Sequence, residues 1–355
     1  MSYWEDRAKE IIDEESKSDY EIAQEIQRIV DEMNEDIEDE INRFYARYAI
    51  NEGISFIEAK KKIDAVDVQM FQQKAKQYVE NKDFSDKANA ELRAYNTKMY
   101  VSREKLLQAQ LGLIVTYAYA QIEQSMYNYM ESAYYRALEQ QAGILGGTLQ
   151  VSINDVKTII FTPFEGHKWS TRLWSDMDVV RRHVQKTTRH VLLRGRHPYE
   201  FVKDLRKDTG ATTYNMKRLL LTETARVQTL ASKRHMLEEH GAEAEYQFVA
   251  KIDSKTTKTC RGLNNETFKV KDMVPGVNAP PMHPFCRSAV VPYVGNWRDK
   301  FFEERKGKYN LSKYTEWWYG WTREIFERNR YWIKVDSWIV RENGWQENCK
   351  NCNGC

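Results

Sequence analysis

Three residues able to ligate a metal or act as nucleophiles stand close together late in the chain: Cys260, His283 and Cys286. Two thiols and an imidazole are soft donors suited to zinc, but a structural zinc site takes four ligands and draws its cysteines from paired C-x2-C spacing. Thr257 stands where the paired cysteine would be, which leaves three donors. The residue types keep three chemistries open: a zinc site, two buried thiols without a ligand, and a disulfide formed in an oxidising setting. A second group, Cys349, Cys352 and Cys355, looks like half of a metal site, and no histidine follows His283 to complete it.

Other chemistry is sparse. The chain has no Gly-rich phosphate loop, no G-x-S-x-G elbow and no H-E-x-x-H pair. Arg218, Thr222 and Arg226 recur at steps of four and share one helix face, and Glu223 can pair with Arg226 at i,i+3. Such a set reads either as an ion network that orients its helix on a sheet or as a general acid beside cations. Residues 168–234 hold 16 Lys/Arg against 6 Asp/Glu. The densest part, Arg172, Arg181, Arg182, Lys186, Arg189, Arg194 and Arg196, is either a solvated helix face or a surface that attracts nucleic-acid phosphates without reading sequence.

Positioning these groups requires mostly helices. Ile22, Ile26, Ile29, Met33, Ile37, Ile41 and Phe44 recur at the helical period and predict a helix over 22–48. Ser55 and Glu58 have capping-box spacing for a second helix reaching about residue 79. A third runs from about 102 to 142, marked by Ile122, Met126, Tyr129, Ala133 and Ala137 and closed by the glycines at 143, 146 and 147. Helical patterns return over 175–193, in a short helix opened by Pro198, and over 213–239. Residues 246–252, 267–270 and 289–294 are rich in β-branched and aromatic residues and predict a small antiparallel sheet. Asn264-Asn265 suits a tight turn before the second strand, and five of the seven prolines fall between 275 and 292, which makes that stretch a stiff loop. If the first and last strands pair, Cys260 and Cys286 come together.

The expected fold class is therefore α+β, mainly α. The expected organisation is a helical N-terminal region over 1–147, a domain over 148–295 and an aromatic-rich tail over 296–355. That tail holds seven of ten tryptophans, has no clean period and reads as a partly helical appendage.

Composition adds limits. The 355 residues are 41% apolar, enough for substantial cores and against a wholly disordered chain. The net charge is only +2, but residues 1–40 carry 16 acidic and 4 basic side chains, so the remainder is strongly basic. Opposite ends can thus meet opposite partners, one cationic and one polyanionic. The charged N-terminus does not read as a signal peptide, the best apolar run is far short of a bilayer span, and five clustered cysteines do not read as a secreted disulfide framework. The expectation is synthesis in a reducing cytoplasm without membrane insertion.

The order Asp253, Cys260, Leu263, Phe268, then Pro280-Pro281, His283-Pro284 and Cys286-Arg287 resembles the C-terminal signature of the phage Mu F-like minor head proteins, the head morphogenesis family of tailed bacteriophages. That family reads D-x-x-T-C-x-x-C-x-x-L-x-G-x-x-F followed by P-P-x-H-P-x-C-R-C. This chain departs from it at Thr257, Asn265 and Ser288, the first and last of which replace cysteines. The 218–227 stretch resembles the family's R-T-E-x-x-R helix, and Trp169 to Trp174 is also similar, so the likeness spans about 150–295. It implies a nonenzymatic minor capsid protein with no required cofactor, which enters the prohead with the portal protein, stays in the virion and contacts packaged double-stranded DNA. Major capsid or scaffolding proteins are further implied partners. Its structural motif residues would be Arg218, Thr222, Glu223, Arg226, Asp253, Cys260, Asn265, Pro281, His283, Cys286 and Arg287. The alternatives are a phage enzyme that modifies nucleic acid or protein, and a free DNA-binding protein.

Overall fold

The computed structural model describes residues 3–48, 65–80, 84–95, 103–145, 150–194, 198–293, 338–341 and 344–347. The chain divides into two units, Met1–Tyr293 and Val294–Cys355. The first is mainly helical with one small sheet, the α+β class that the sequence patterns predict.

Helix α1 (Tyr3–Tyr48) buries the predicted stripe from Ile22 to Phe44. It starts well before residue 22 because Ala8, Ile11 and Ile12 continue the same stripe and are buried too. Helix α2 (Ala65–Gln77) lies within the predicted second helix, whose Ser55 and Glu58 cap lies outside the described residues. A short α3 (Asp86–Arg93) follows, capped by the Ser85 side chain accepting from the Ala88 N–H. Helix α4 (Arg103–Leu145) is buried around much of its girth because α1, α6 (Trp169–Arg194) and α7 (Pro198–His240) all pack on it. Between α4 and α6 lies α5 (Ile153–Phe161), capped by Ser152.

Two sequence expectations are corrected here. The separate helices opened by Pro198 and spanning 213–239 are one continuous α7. Leu205, Met216, Leu220, Val227 and Ala231 form one buried stripe along it, and that burial outweighs the roughly 1 kcal/mol that Gly210 costs inside a helix. The tail, expected to be partly helical, forms an antiparallel hairpin where it is described, β4 (Trp338–Arg341) with β5 (Gly344–Glu347). Its Trp-Ile-Val run favours a strand.

The sheet follows α7. Strands β1 (Glu245–Ala250), β2 (Thr267–Lys269) and β3 (Ser288–Tyr293) are ordered β2-β1-β3, both pairs antiparallel. A six-residue helix α8 (Lys258–Leu263) links β1 to β2. One face of the sheet packs Tyr246 and Val290 against Met236 of α7, and the other packs Val249 and Val291 against Ala8 of α1. The core of the helices runs across position 147 without a break, from Ile26 of α1 to Trp169 and Leu220.

Candidate functional site

The pairing of β1 with β3 places Ala250 opposite Ser288, so the segments beyond these two residues leave the sheet side by side. Cys260 lies on α8, whose first turn is capped by the Thr257 hydroxyl, and Cys286 lies at the end of the proline loop. Their sulfur atoms are 3.8 Å apart, and His283 Nε2 is 3.2 Å from the Cys260 sulfur. His283 Nδ1 faces the Pro284 carbonyl at 2.8 Å. A carbonyl can only accept, so Nδ1 donates to it and Nε2 is the ring nitrogen turned to the thiols. Both thiols are free and buried.

The two thiols share their protons unequally. A hydrogen bond from Cys286, with help from the Thr257 and Ser288 hydroxyls, pulls the Cys260 thiol below its usual range. The same bond together with burial pushes Cys286 up. Asp253 cannot join the cluster, because Arg287 holds both of its oxygens at 2.6 and 2.7 Å and keeps it well below the usual carboxylate range.

The three donor atoms lie within 4.8 Å of one another. Two thiolates on one tetrahedral zinc would stand about 3.8 Å apart, given Zn–S bonds of about 2.3 Å, so the sulfur spacing fits three corners of a thiophilic metal site. Thr257 and Ser288, at the family's two missing thiolates, face Cys260 with hydroxyls. Zinc bound here would serve to cross-link α8 to the proline loop.

The other motif residues act as fasteners. Glu223 and Arg226 form an ion pair at 2.7 Å, each side chain only 2% exposed. Arg226 also donates to the carbonyls of Ile159 and Ile160, so the network ties α7 to the end of α5 instead of orienting it on the sheet. Burial raises Glu223 above its usual range, and Arg226 opposes the rise. The Thr222 hydroxyl accepts from the Phe285 N–H at 3.4 Å, and Tyr214 meets the Phe285 ring, which docks the proline loop on α7. Arg218 works against the effect of burial on the Asp176 carboxyl. Asn265 takes the left-handed turn at φ 70°, and Pro281 is buried after a cis bond to Pro280.

Of the candidate nucleic-acid residues whose side chains are described, two are engaged by internal acceptors. Arg181 turns inward to Glu91 and the Thr116 hydroxyl, with its side chain 20% exposed. Arg172 donates to the Phe164 carbonyl and faces Glu165. Both are withdrawn from phosphates by these internal acceptors. Arg182 and Lys186 are exposed. The side chains of Arg189 and Arg194, all of Arg196, and Cys349, Cys352 and Cys355 lie outside the described residues.

Sequence reasoning missed a cleft of about 700 Å³ beneath α1. It is bounded by α1, the end of α4, α7, the proline loop and β3. Glu15 and Asp19 belong to it, and their signal was present: they interrupt the apolar stripe between Ile12 and Ile22 at its own period. Glu15 accepts two bonds from Arg136 and others from Gln140 and Gln228.

Asp19 accepts from the Tyr129 hydroxyl at 2.7 Å, yet burial raises its pKa from 3.8 to about 6. A carboxyl raised on folding favours the folded state fully below its unfolded pKa and loses that contribution as pH rises through its folded value. Asp19→Asn keeps an acceptor for Tyr129 and has no charge to bury. It should therefore abolish the fall in stability between about pH 4 and about pH 6, and should exceed the wild type by about 2 kcal/mol near neutrality. Urea unfolding across that range checks both.

A helical body, a three-stranded sheet and a buried cysteine-histidine loop fastened to the longest helix of the C-terminal half define an α+β structural domain closed by its loop. Residues 182–291, under a third of the chain, match the family described as Phage Mu protein F like protein. The match begins inside α6, leaving the similar stretch Trp169 to Trp174 outside it. The NAD(+)–arginine ADP-ribosyltransferase EFV of Enterococcus faecalis is 22% identical over 193 residues, 52% of this chain and 40% of that protein. The chain thus spans about two fifths of that relative's length. No solved structure matches.

Proposed function

We propose that the protein is a minor head protein of a tailed bacteriophage, nonenzymatic, taken into the prohead with the portal protein and retained in the virion. The observation that carries this reading is the coincidence of the family match with the fastened unit from α6 to β3, including every motif residue from Arg218 to Arg287. The buried state of Cys260 argues against a nucleophilic enzyme, since a substrate carbon could not reach its sulfur. Transfer of an ADP-ribosyl group would rest on the relative's name alone. Among the described residues no helix is long and apolar enough to cross a membrane, which agrees with a particle component.

The long helices of the N-terminal half are the part offered to the portal, with major capsid or scaffolding proteins as further contacts during assembly. Mass spectrometry of purified particles and of portal-containing proheads tests the assignment. The protein should be found in both in low copy, and its absence from particles would refute the reading.

DNA contact falls to the exposed Arg182 and Lys186 of α6. Duplex DNA should bind without sequence preference, with an affinity that drops steeply as salt releases fewer counterions. Arg182→Ala with Lys186→Ala should lower the slope of log affinity against log salt by about 2. Filter binding over a salt series measures it, and an unchanged slope would move the contact elsewhere.

A further inference from the structure

The open edge of the sheet faces the cleft beneath α1. In the order β2-β1-β3, β3 has a neighbour on one side only among the described residues. Phe248 directs both backbone groups toward β2, its N–H to the Glu266 carbonyl at 2.9 Å and its carbonyl to the Asn265 N–H at 2.8 Å. Backbone groups in an antiparallel ladder alternate sides, so Phe248 and Val290 form a non-hydrogen-bonded pair. Val290 and, two residues earlier, Ser288 therefore aim their N–H and C=O groups away from β1. Pro292, with no N–H to offer β1, is in the same phase.

Ser288, Ala289 and Val290 all line the cleft although their side chains alternate between the two faces of the sheet, which places the strand's edge itself at the cleft wall. Val290 is 5% exposed. A buried peptide group needs a partner, at a cost of about 1–3 kcal/mol when none is supplied. On the facing walls, Gln141 and Thr224 are 3% and 2% exposed, and Gln141 Oε1 and Thr224 Oγ1 have no hydrogen-bond partner. Small side chains, Ala23, Ala137, Ala225 and Ala289, leave room for a main chain between these walls. The α1 side presents Glu15 and Asp19 over a stretch, residues 11–23, that runs about 20 Å along the cleft. That length suits about six residues of extended chain.

We propose that the cleft binds an extended peptide segment of another protein, which adds as a fourth strand to β3 at Ser288 and Val290 and sends a lysine or arginine side chain to Asp19. Main-chain pairing supplies the affinity, Gln141 and Thr224 accept or share further hydrogen bonds, and the Asp19 carboxyl, which holds only the Tyr129 hydroxyl among the described residues, selects a basic residue. The raised carboxyl of Asp19 fits this, because a cation beside it would restore its charge. The proposal does not depend on the head-assembly reading.

The test begins with a display library of random octapeptides selected on the immobilised full-length protein and counter-selected on the Ala225→Trp variant, whose indole fills the cleft. The best peptide is synthesised in three forms: unmodified, N-methylated on alternate residues, and with its basic residue replaced by Glu. We expect at least tenfold weaker binding for one phase of N-methylation, little change for the other phase, and at least tenfold weaker binding for the Glu form. The Val290 amide should become protected from hydrogen exchange in the complex. Gln141→Leu, a near-isosteric change that keeps the packing, should weaken binding severalfold and guards against an Ala225→Trp protein that fails to fold. Equal binding of both N-methylated forms, a selected peptide that binds only as a helix, enrichment of acidic peptides, or recovery of nothing that distinguishes the wild type from Gln141→Leu would each overturn the proposal. Self-association of the chain blocked by Ala225→Trp would also overturn it, by naming a second copy as the occupant.

Discussion

Arg226→Met should cost about 3–5 kcal/mol of folding stability, the range seen when one partner of a buried ion pair is removed. Three bonds are lost at once: the one to Glu223 and those to the Ile159 and Ile160 carbonyls. These carbonyls end α5, where that of Ile159 also accepts from the Thr162 N–H of the cap, so a cation there adds hydrogen bonds and complements the helix dipole together. What remains is worse than the missing bonds. Glu223, 2% exposed in the intact pair and with Oε1 already lacking a partner, would have to ionise alone or take up a proton. Urea unfolding of the full-length variant, monitored by the near-ultraviolet signal of the buried Trp169 and Trp174, reads the loss.

Two companions separate the causes. Arg226→Met with Glu223→Leu removes the uncompensated charge and should recover a large part of the stability, leaving the α5 carbonyls as the residual deficit. The single variant should also be less impaired in acid than at neutrality. Glu223 is already raised by burial and loses in Arg226 the group that opposes the rise, so its folded pKa climbs further. A raised carboxyl penalises folding only as pH rises above its unfolded value, near 4.5. A single variant as stable as the wild type would mean that the pair serves assembly and not the fold.

How much of this was legible beforehand varied with the range of the interaction. The helical stripe of α1, the strand segments and the Asn265 turn follow from local period and backbone preference, and they stand where the patterns put them. The approach of Cys260 and Cys286 needed one further step, the pairing of β1 with β3, which two apolar segments flanking a stiff loop implied. Local pattern gives a short helix opened by Pro198 and another over 213–239 where α7 is continuous, because the stripe that joins them gains its value only against α4 and α6. The partners of Arg181 lie 65 and 90 residues away, and those of Glu15 are more than 100 residues away in sequence. Charge counts along the chain cannot distinguish an arginine that faces phosphates from one that faces Glu91. For the same reason the cleft escaped notice, although two carboxylates inside an isoleucine stripe were a readable anomaly.

The largest metal-dependent effect should come from restoring the thiolates that the family pattern has at 257 and 288. The wild-type cluster offers Cys260, His283 and Cys286, and Asp253 is committed to Arg287, so no fourth strong ligand stands ready. Full-length wild-type protein, purified without chelator and dialysed, should hold well under one zinc per chain and stay folded in EDTA. Thr257→Cys with Ser288→Cys should behave differently, because both hydroxyls already lie within hydrogen-bonding reach of the Cys260 sulfur and a thiolate in either place enters the same cluster. Three thiolates with one imidazole, or four thiolates, close the tetrahedron, and structural zinc in such sites is worth about 10–16 kcal/mol of apparent binding free energy near neutral pH. One zinc per chain should then survive dialysis, and chelation should lower the thermal midpoint of the variant while leaving that of the wild type unchanged. The gain should fade in acid, since each ligand must release its proton before it can bind. Stoichiometric zinc in the wild type would show that water or the Thr257 or Ser288 hydroxyl completes the site, and that Cys260, His283 and Cys286 suffice as its protein ligands.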